Sequence, residues 1–111
     1  MKITQPDGSG TVDVSQKWEI RWEDVVESEP KYADFWITHS HSPPYRAPVQ
    51  LTDAINIHEN DHVQIDGRTI ENMPTGGSYR IWAMVPGQSP IVDPEPIAES
   101  SDIDIKNESN Q

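Results

Sequence analysis

Four histidines fall in two close pairs, and by residue type they are the best suited to chemistry in this chain. His39 and His41 stand two apart where a strand-like run meets a proline-rich stretch. Side chains two apart on a strand share a face, so both rings would point the same way, as a metal ion requires. His58 and His62 bracket Glu59, Asn60 and Asp61, which puts nitrogen and oxygen donors in one polar turn. A zinc site needs three or four such groups to converge. Two separate pairs, with no cysteine to join them, are read instead as exposed loop histidines, and neither a metal nor another cofactor is expected. A histidine brace of the oxidative polysaccharide-cleaving type needs an N-terminal histidine, which Met1-Lys2-Ile3 does not supply.

Other catalytic patterns are thinner still. Paired carboxylates cleave glycosides when held at the right separation. With 19 acids in 111 residues some pair is always close, so proximity alone identifies nothing. No nucleophile motif of the Gly-x-Ser-x-Gly kind occurs. The chain is therefore read as a non-enzyme, with a small metal-dependent enzyme built on His39, His41, His58 and His62 as an alternative. Asn107-Glu108-Ser109 matches the N-glycosylation acceptor pattern and is expected at the surface just after the last strand.

The elements that must position these residues are strands. Lys17-Trp18-Glu19-Ile20-Arg21-Trp22 alternates three apolar with three charged side chains, the pattern of a half-buried strand with Trp18, Ile20 and Trp22 facing a core. Short runs at 3–6, 11–14, 32–39, 49–57, 63–65, 79–85 and 103–105 extend the series. Asp66-Gly67 reads as a hairpin turn, Pro74-Thr75-Gly76-Gly77 as a second turn, and 40–48, with its prolines, as irregular. Val25-Val26 is the one place where a helical turn is considered. The result is an all-β chain, an antiparallel β-sandwich of about seven strands, with residues 1–106 forming one domain and 107–111 a disordered tail.

Phase also sorts the aromatic residues. Trp36 falls between Phe35 and Ile37, and Trp82 between Ile81 and Ala83. If the aliphatic positions face inward, both indoles lie on outer sheet faces. There they would offer flat area to a sugar ring or a protein partner, which makes Trp36 and Trp82 the candidate ligand-binding residues. A net charge of −11 opposes phosphate backbones and anionic membranes, so neither nucleic acid nor membrane insertion is expected. No stretch approaches the ~20 apolar residues a spanning helix needs, and with no apolar run after Met1-Lys2, a signal peptide is expected to be missing from this stretch.

Several of these segments resemble a fungal family. They are Ile3-Thr4-Gln5-Pro6, the Val12 to Trp22 run, Phe35-Trp36-Ile37, the segment Pro74-Thr75-Gly76-Gly77-Ser78-Tyr79-Arg80-Ile81, and the closing stretch from Ile97 to Ile105. The family is that of the Ser/Thr-rich, glycolipid-anchored proteins with the yeast cell-wall-synthesis (killer-toxin-resistance type) N-terminal domain. The resemblance implies an immunoglobulin/fibronectin-III-like sandwich, extracellular, at the cell wall or cell surface, without recognised catalytic residues. It implies cell-wall glucan or a wall or surface protein as partner. The expected function is a non-catalytic wall or surface module. A secreted, effector-like interaction protein acting on a host or neighbouring cell is the second reading.

Overall fold

The computed structural model describes residues 1–40, 42–67, 70, 73–92 and 95–107. Ten strands follow one another among the described residues: β1 (Lys2–Gln5), β2 (Thr11–Asp13), β3 (Trp18–Glu23), β4 (Tyr32–His39), β5 (Arg46–Gln50), β6 (Ile55–Asn56), β7 (His62–Ile65), β8 (Gly76–Met84), β9 (Ala98–Glu99) and β10 (Ile103–Lys106). No helix occurs among the described residues, Val25-Val26 included. One sheet runs β1-β3-β7 and the other β2-β10-β8-β4-β5, with β6 added to β4 and β9 to β8.

Alternation in sequence accounts for the core. Trp18, Ile20 and Trp22 from β3 are buried on one face, and so are Phe35 and Ile37 from β4, Tyr79 and Ile81 from β8, and Ile103 and Ile105 from β10. The two sets meet between the sheets. The Trp22 ring stacks on Phe35 with centroids 5.0 Å apart, and its Nε1–H donates to the Ile57 carbonyl at 3.1 Å. An indole buried whole needs such a partner, because an unpaired donor there costs about 1–3 kcal/mol.

The larger sheet is mixed rather than purely antiparallel, because β2 runs parallel to β10, while the β1-β3-β7 sheet is antiparallel throughout. The chain leaves β1, which pairs with β3, and crosses to the other sheet through residues 7–10. Gly8 and Gly10 take the positive φ values of 92° and 68° in that crossing. Three further expectations change. Gly76 and Gly77 belong to β8 rather than to a turn, since a side chain on Gly77 would press to 2.6 Å from the Asp104 carboxylate of the adjoining β10. Among the described residues Asp66-Gly67 closes no hairpin, because β7 pairs with β3. Gly67 is needed instead for close approach, its missing Cβ lying 2.5 Å from the Ser15 carbonyl. Strand β5 begins at Arg46, inside the stretch expected to be irregular. Pro48 is tolerated there because β5 is an edge strand.

Asn107 corrects two more expectations. It is buried, its backbone N–H donates to Thr75 Oγ1 at 2.8 Å, and its Nδ2 donates to the carbonyls of Met73 at 2.8 Å and Ile70 at 3.2 Å. Glycosylation would need that same nitrogen exposed, whereas here it is buried and donates to two carbonyls. Asn107 belongs to the packed body rather than to a tail, and the rest of the expected tail, 108–111, lies outside the described residues.

Two stability measurements check this account. Trp22→Ala is expected to lower the unfolding free energy in urea by about 3–5 kcal/mol, the usual cost of emptying a large aromatic site. Asn107→Ala is expected to cost about 1–3 kcal/mol by stranding two carbonyls, whereas a disordered tail residue would show no change.

Candidate functional site

The outer face of β4 and β8 carries the residues that alternate with the core: Asp34, Trp36 and Thr38 on one strand, Arg80, Trp82 and Met84 on the other. Register sets Trp36 directly opposite Trp82 and Asp34 opposite Met84. The two indoles picked out by phase are thus cross-strand neighbours, a pairing that no spacing in the chain reveals.

This face is covered at one end. Met84 is fully buried, and Trp82 is only 9 % exposed, so Trp82 is not the open platform expected of it. The reason is the connection from β8 to β9. Ile97 N–H returns to the Ala83 carbonyl at 2.7 Å, and Glu99 Oε2 accepts from Trp82 Nε1 at 2.8 Å. Arg80 ties the same edge down, with Nη1 3.2 Å from Glu99 Oε2 and Nε 2.6 Å from Asp102 Oδ1. Trp36 stays half-buried, and its Nε1 finds no acceptor among the described residues.

Beside Trp36 the face opens into a groove of about 230 Å³. Thr38, Arg46, Ala47 and Pro48 form one wall, and Pro90 and Ile91 of the β8–β9 connection form the other. Pro48 lies two residues from Gln50, the β5 partner of Trp36, so the groove begins one step along the same face. Ile91 in that wall is 70 % exposed, and Val92, the next residue along the chain, is 77 % exposed. Among the described residues Arg46 has no carboxylate partner, which leaves a positive charge at the rim of an acidic molecule.

Asp34 is the residue here that sequence reasoning passed over. In the chain it reads as a solvent-facing acid in phase with Trp36, yet it is buried. Burial pushes its carboxyl above the usual carboxylate range, the Gly87 N–H at 3.4 Å draws it partly back, and the neighbouring Asp53 charge adds to the rise. Asp7, Asp13 and Asp61, by contrast, are held below the usual range by hydrogen bonds from their neighbours.

The histidines do not assemble. His39 is buried rather than in an exposed loop, its Nδ1 2.8 Å from the Pro44 carbonyl and its Nε2 2.9 Å from the Gly77 carbonyl, with the ring edge-on to Tyr79 at 4.6 Å. Both nitrogens are occupied in bracing the β4–β5 loop against β8, so neither is turned toward a metal. His41 lies outside the described residues. His58 Nε2 sits 3.1 Å from the carbonyls of both Glu29 and Pro30, and His62 Nδ1 sits 2.7 Å from Asp61 Oδ1. Among the described residues no three His, Cys, Asp or Glu side chains come together as a ligand set.

The chain matches no protein-family model, no curated protein and no solved structure.

A pH series tests the Asp34 environment. A carboxyl with a raised native pKa binds its proton more tightly when folded, so its contribution to stability falls as pH rises through the carboxylate range. Asp34→Asn, which keeps an acceptor for Gly87, is expected to raise Tm at pH 7, and the gain is expected to shrink toward pH 3. A gain of equal size at both pH values would point to packing instead.

Proposed function

We propose that the protein is a non-catalytic binding module that contacts a partner protein through the groove beside Trp36. The observation that carries this reading is the exposed pair of Ile91, which lines the groove with Pro48 and Pro90, and Val92 next to it in the chain. Large aliphatic side chains held that far into water, next to a preformed groove, are a common mark of a protein contact. The lone Arg46 at the rim adds orientation, because a carboxylate on the partner would pair with it. The rest of the molecule is acidic, so the partner is expected to be basic around its apolar contact.

The architecture in this reading is an immunoglobulin/fibronectin-III-like sandwich. Two details support it. Tyr79, at the start of β8, donates its hydroxyl hydrogen to the Pro74 carbonyl at 2.7 Å, as the corner tyrosine of such sandwiches does. The first two strands divide between the sheets, one beside β3 and the other beside β10. The resemblance of the strand and turn segments adds the setting, an extracellular fungal wall or cell surface, where the partner is another wall protein. A secreted protein acting on a neighbouring cell would use the same groove.

A glucan ligand on this face is the second reading, and half-exposed Trp36 is what favours it. Trp82, buried against Glu99, cannot extend the platform. One indole alone offers a sugar chain little purchase, so the protein contact is preferred. An enzyme built on the histidines has no such support, since His39, His58 and His62 are engaged separately.

Ile91→Asp separates the readings. An exposed side chain is expected to change stability by no more than about 0.5 kcal/mol, so Tm should hold while retention of a solubilised wall-protein fraction is lost. Raising salt should slow association with a basic partner but leave binding to insoluble β-glucan unchanged. Wild-type-like retention by Ile91→Asp would remove the groove as the contact. Loss of glucan retention in Trp36→Ala at unchanged Tm would favour the sugar reading.

A further inference from the structure

A second cleft lies at the opposite edge of the molecule from the groove. It has a volume of about 410 Å³ and sits where β1, β2 and β3 meet, lined by Gln5, Asp13, Gln16, Lys17, Trp18 and Glu19 among others. Strands β2 and β5 are the two ends of the same five-strand path, so the cleft and the groove are separated by the width of that sheet. The crossing of the chain between sheets opens this cleft, since β1 stays with β3 while β2 joins β10.

Its polar groups are already oriented. Asp13 Oδ1 accepts from both the backbone N–H and the hydroxyl of Ser15, which leaves Oδ2 without a donor among the described residues. The Ser15 hydroxyl also holds the Asp13 carboxyl below the usual range, keeping it an acceptor. Glu19 Oε2 accepts from Arg21 Nε at 2.9 Å, which leaves Oε1 in the same condition. The side chains of Gln5, Gln16 and Lys17 make no hydrogen bond among the described residues. Trp18 supplies the independent sign. It is only 8 % exposed, it lines the cleft, and its Nε1 is buried with no acceptor among the described residues. Buried donors are nearly always satisfied, so this one calls for an occupant that brings an acceptor.

We propose that this cleft binds a neutral saccharide through hydrogen bonds, its hydroxyls shared among Asp13, Glu19, Gln5 and Gln16 and one of them meeting the Trp18 N–H. The chemistry selects the class. Two carboxylates in an acidic molecule repel an anion. Lys17 between them works against an amine or a metal ion, and no third ligand completes a metal set among the described residues. The wall is too polar for the mainly apolar ligands that fill most pockets. Vicinal hydroxyls, each both donor and acceptor, suit planar carboxylates and amides that take two contacts at once. A hydroxyl at the floor gives the Trp18 N–H its acceptor after a side-chain adjustment of the kind common on binding. The proposal is independent of the groove.

Titration of the ¹⁵N-labelled protein with maltotetraose, cellotetraose and laminaritetraose tests it. The probe signal is the Trp18 indole N–H, identified by its loss in Trp18→Phe. At least one sugar is expected to shift that signal and the amides of residues 11–19, with a Kd on the order of 1 mM. Glu19→Gln and Gln16→Ala, both expected to leave Tm unchanged, should weaken the binding about tenfold when combined. Ile91→Asp should leave it intact, so the cleft and the groove stand or fall separately. No shift with any of the three sugars overturns the proposal. Shifts that survive the double substitution overturn it too, as does a shift produced by calcium alone and reversed by chelation.

Discussion

The contact of Trp22 with Phe35 governs the arrangement of everything else. It joins β3 of one sheet to β4 of the other at a ring separation of 5.0 Å. Through its N–H the same indole also anchors Ile57 in the connection beyond β6. Once Phe35 is committed to that contact, the pleat turns its neighbours Asp34 and Trp36 to the opposite face. The ladder with β8 then brings Trp82 and Met84 alongside them. The position of the outer face is therefore a consequence of a core contact.

That outer face is not a plain solvent surface. Trp82 and Met84 lie outside the main core cluster yet are buried, because the β8–β9 connection returns along β8. The molecule thus has a second, smaller apolar layer, and an acid, Asp34, is caught at its margin. Polar ties hold the cover in place: Glu99 joins Trp82 and Arg80, and Asp102 closes on Arg80 from the other side. These pairs are partly exposed and individually worth little. Their effect is geometric, fixing the stretch that ends as one wall of the groove.

Both candidate sites sit at edges, where a sheet must stop pairing. At β5 the edge is blunted by Pro48, which removes a donor from the strand and discourages pairing with a further strand. What remains is a side-chain groove. At β2 the chain has crossed between sheets, and the gap left behind is lined by amides and carboxylates as well as Pro6, Val12 and Trp18. The two edges differ in chemistry because one is closed by an apolar connection and the other by a polar crossing.

Period-two alternation made the fold class and the inward set legible: Trp18, Ile20, Trp22, Phe35, Ile37, Tyr79, Ile81 and Ile103 are all buried. Alternation also put Trp36 and Trp82 on the face away from the core, because a strand has only two faces. It carried no information on what lies above that face. The burial of Trp82 depends on a connection packing back against its own strand. The bonds of His39 to Pro44 and Gly77 and the anchoring of Asn107 by Ile70 and Met73 join residues 5 to 38 apart. Turn dipeptides misled for the same reason, since Gly67 and Gly77 answer to Ser15 and Asp104, far away in the chain. Local pattern determined which way each side chain faces, and only tertiary packing decided what it meets there, because burial and partners are set by contacts between segments that the order of residues does not place together.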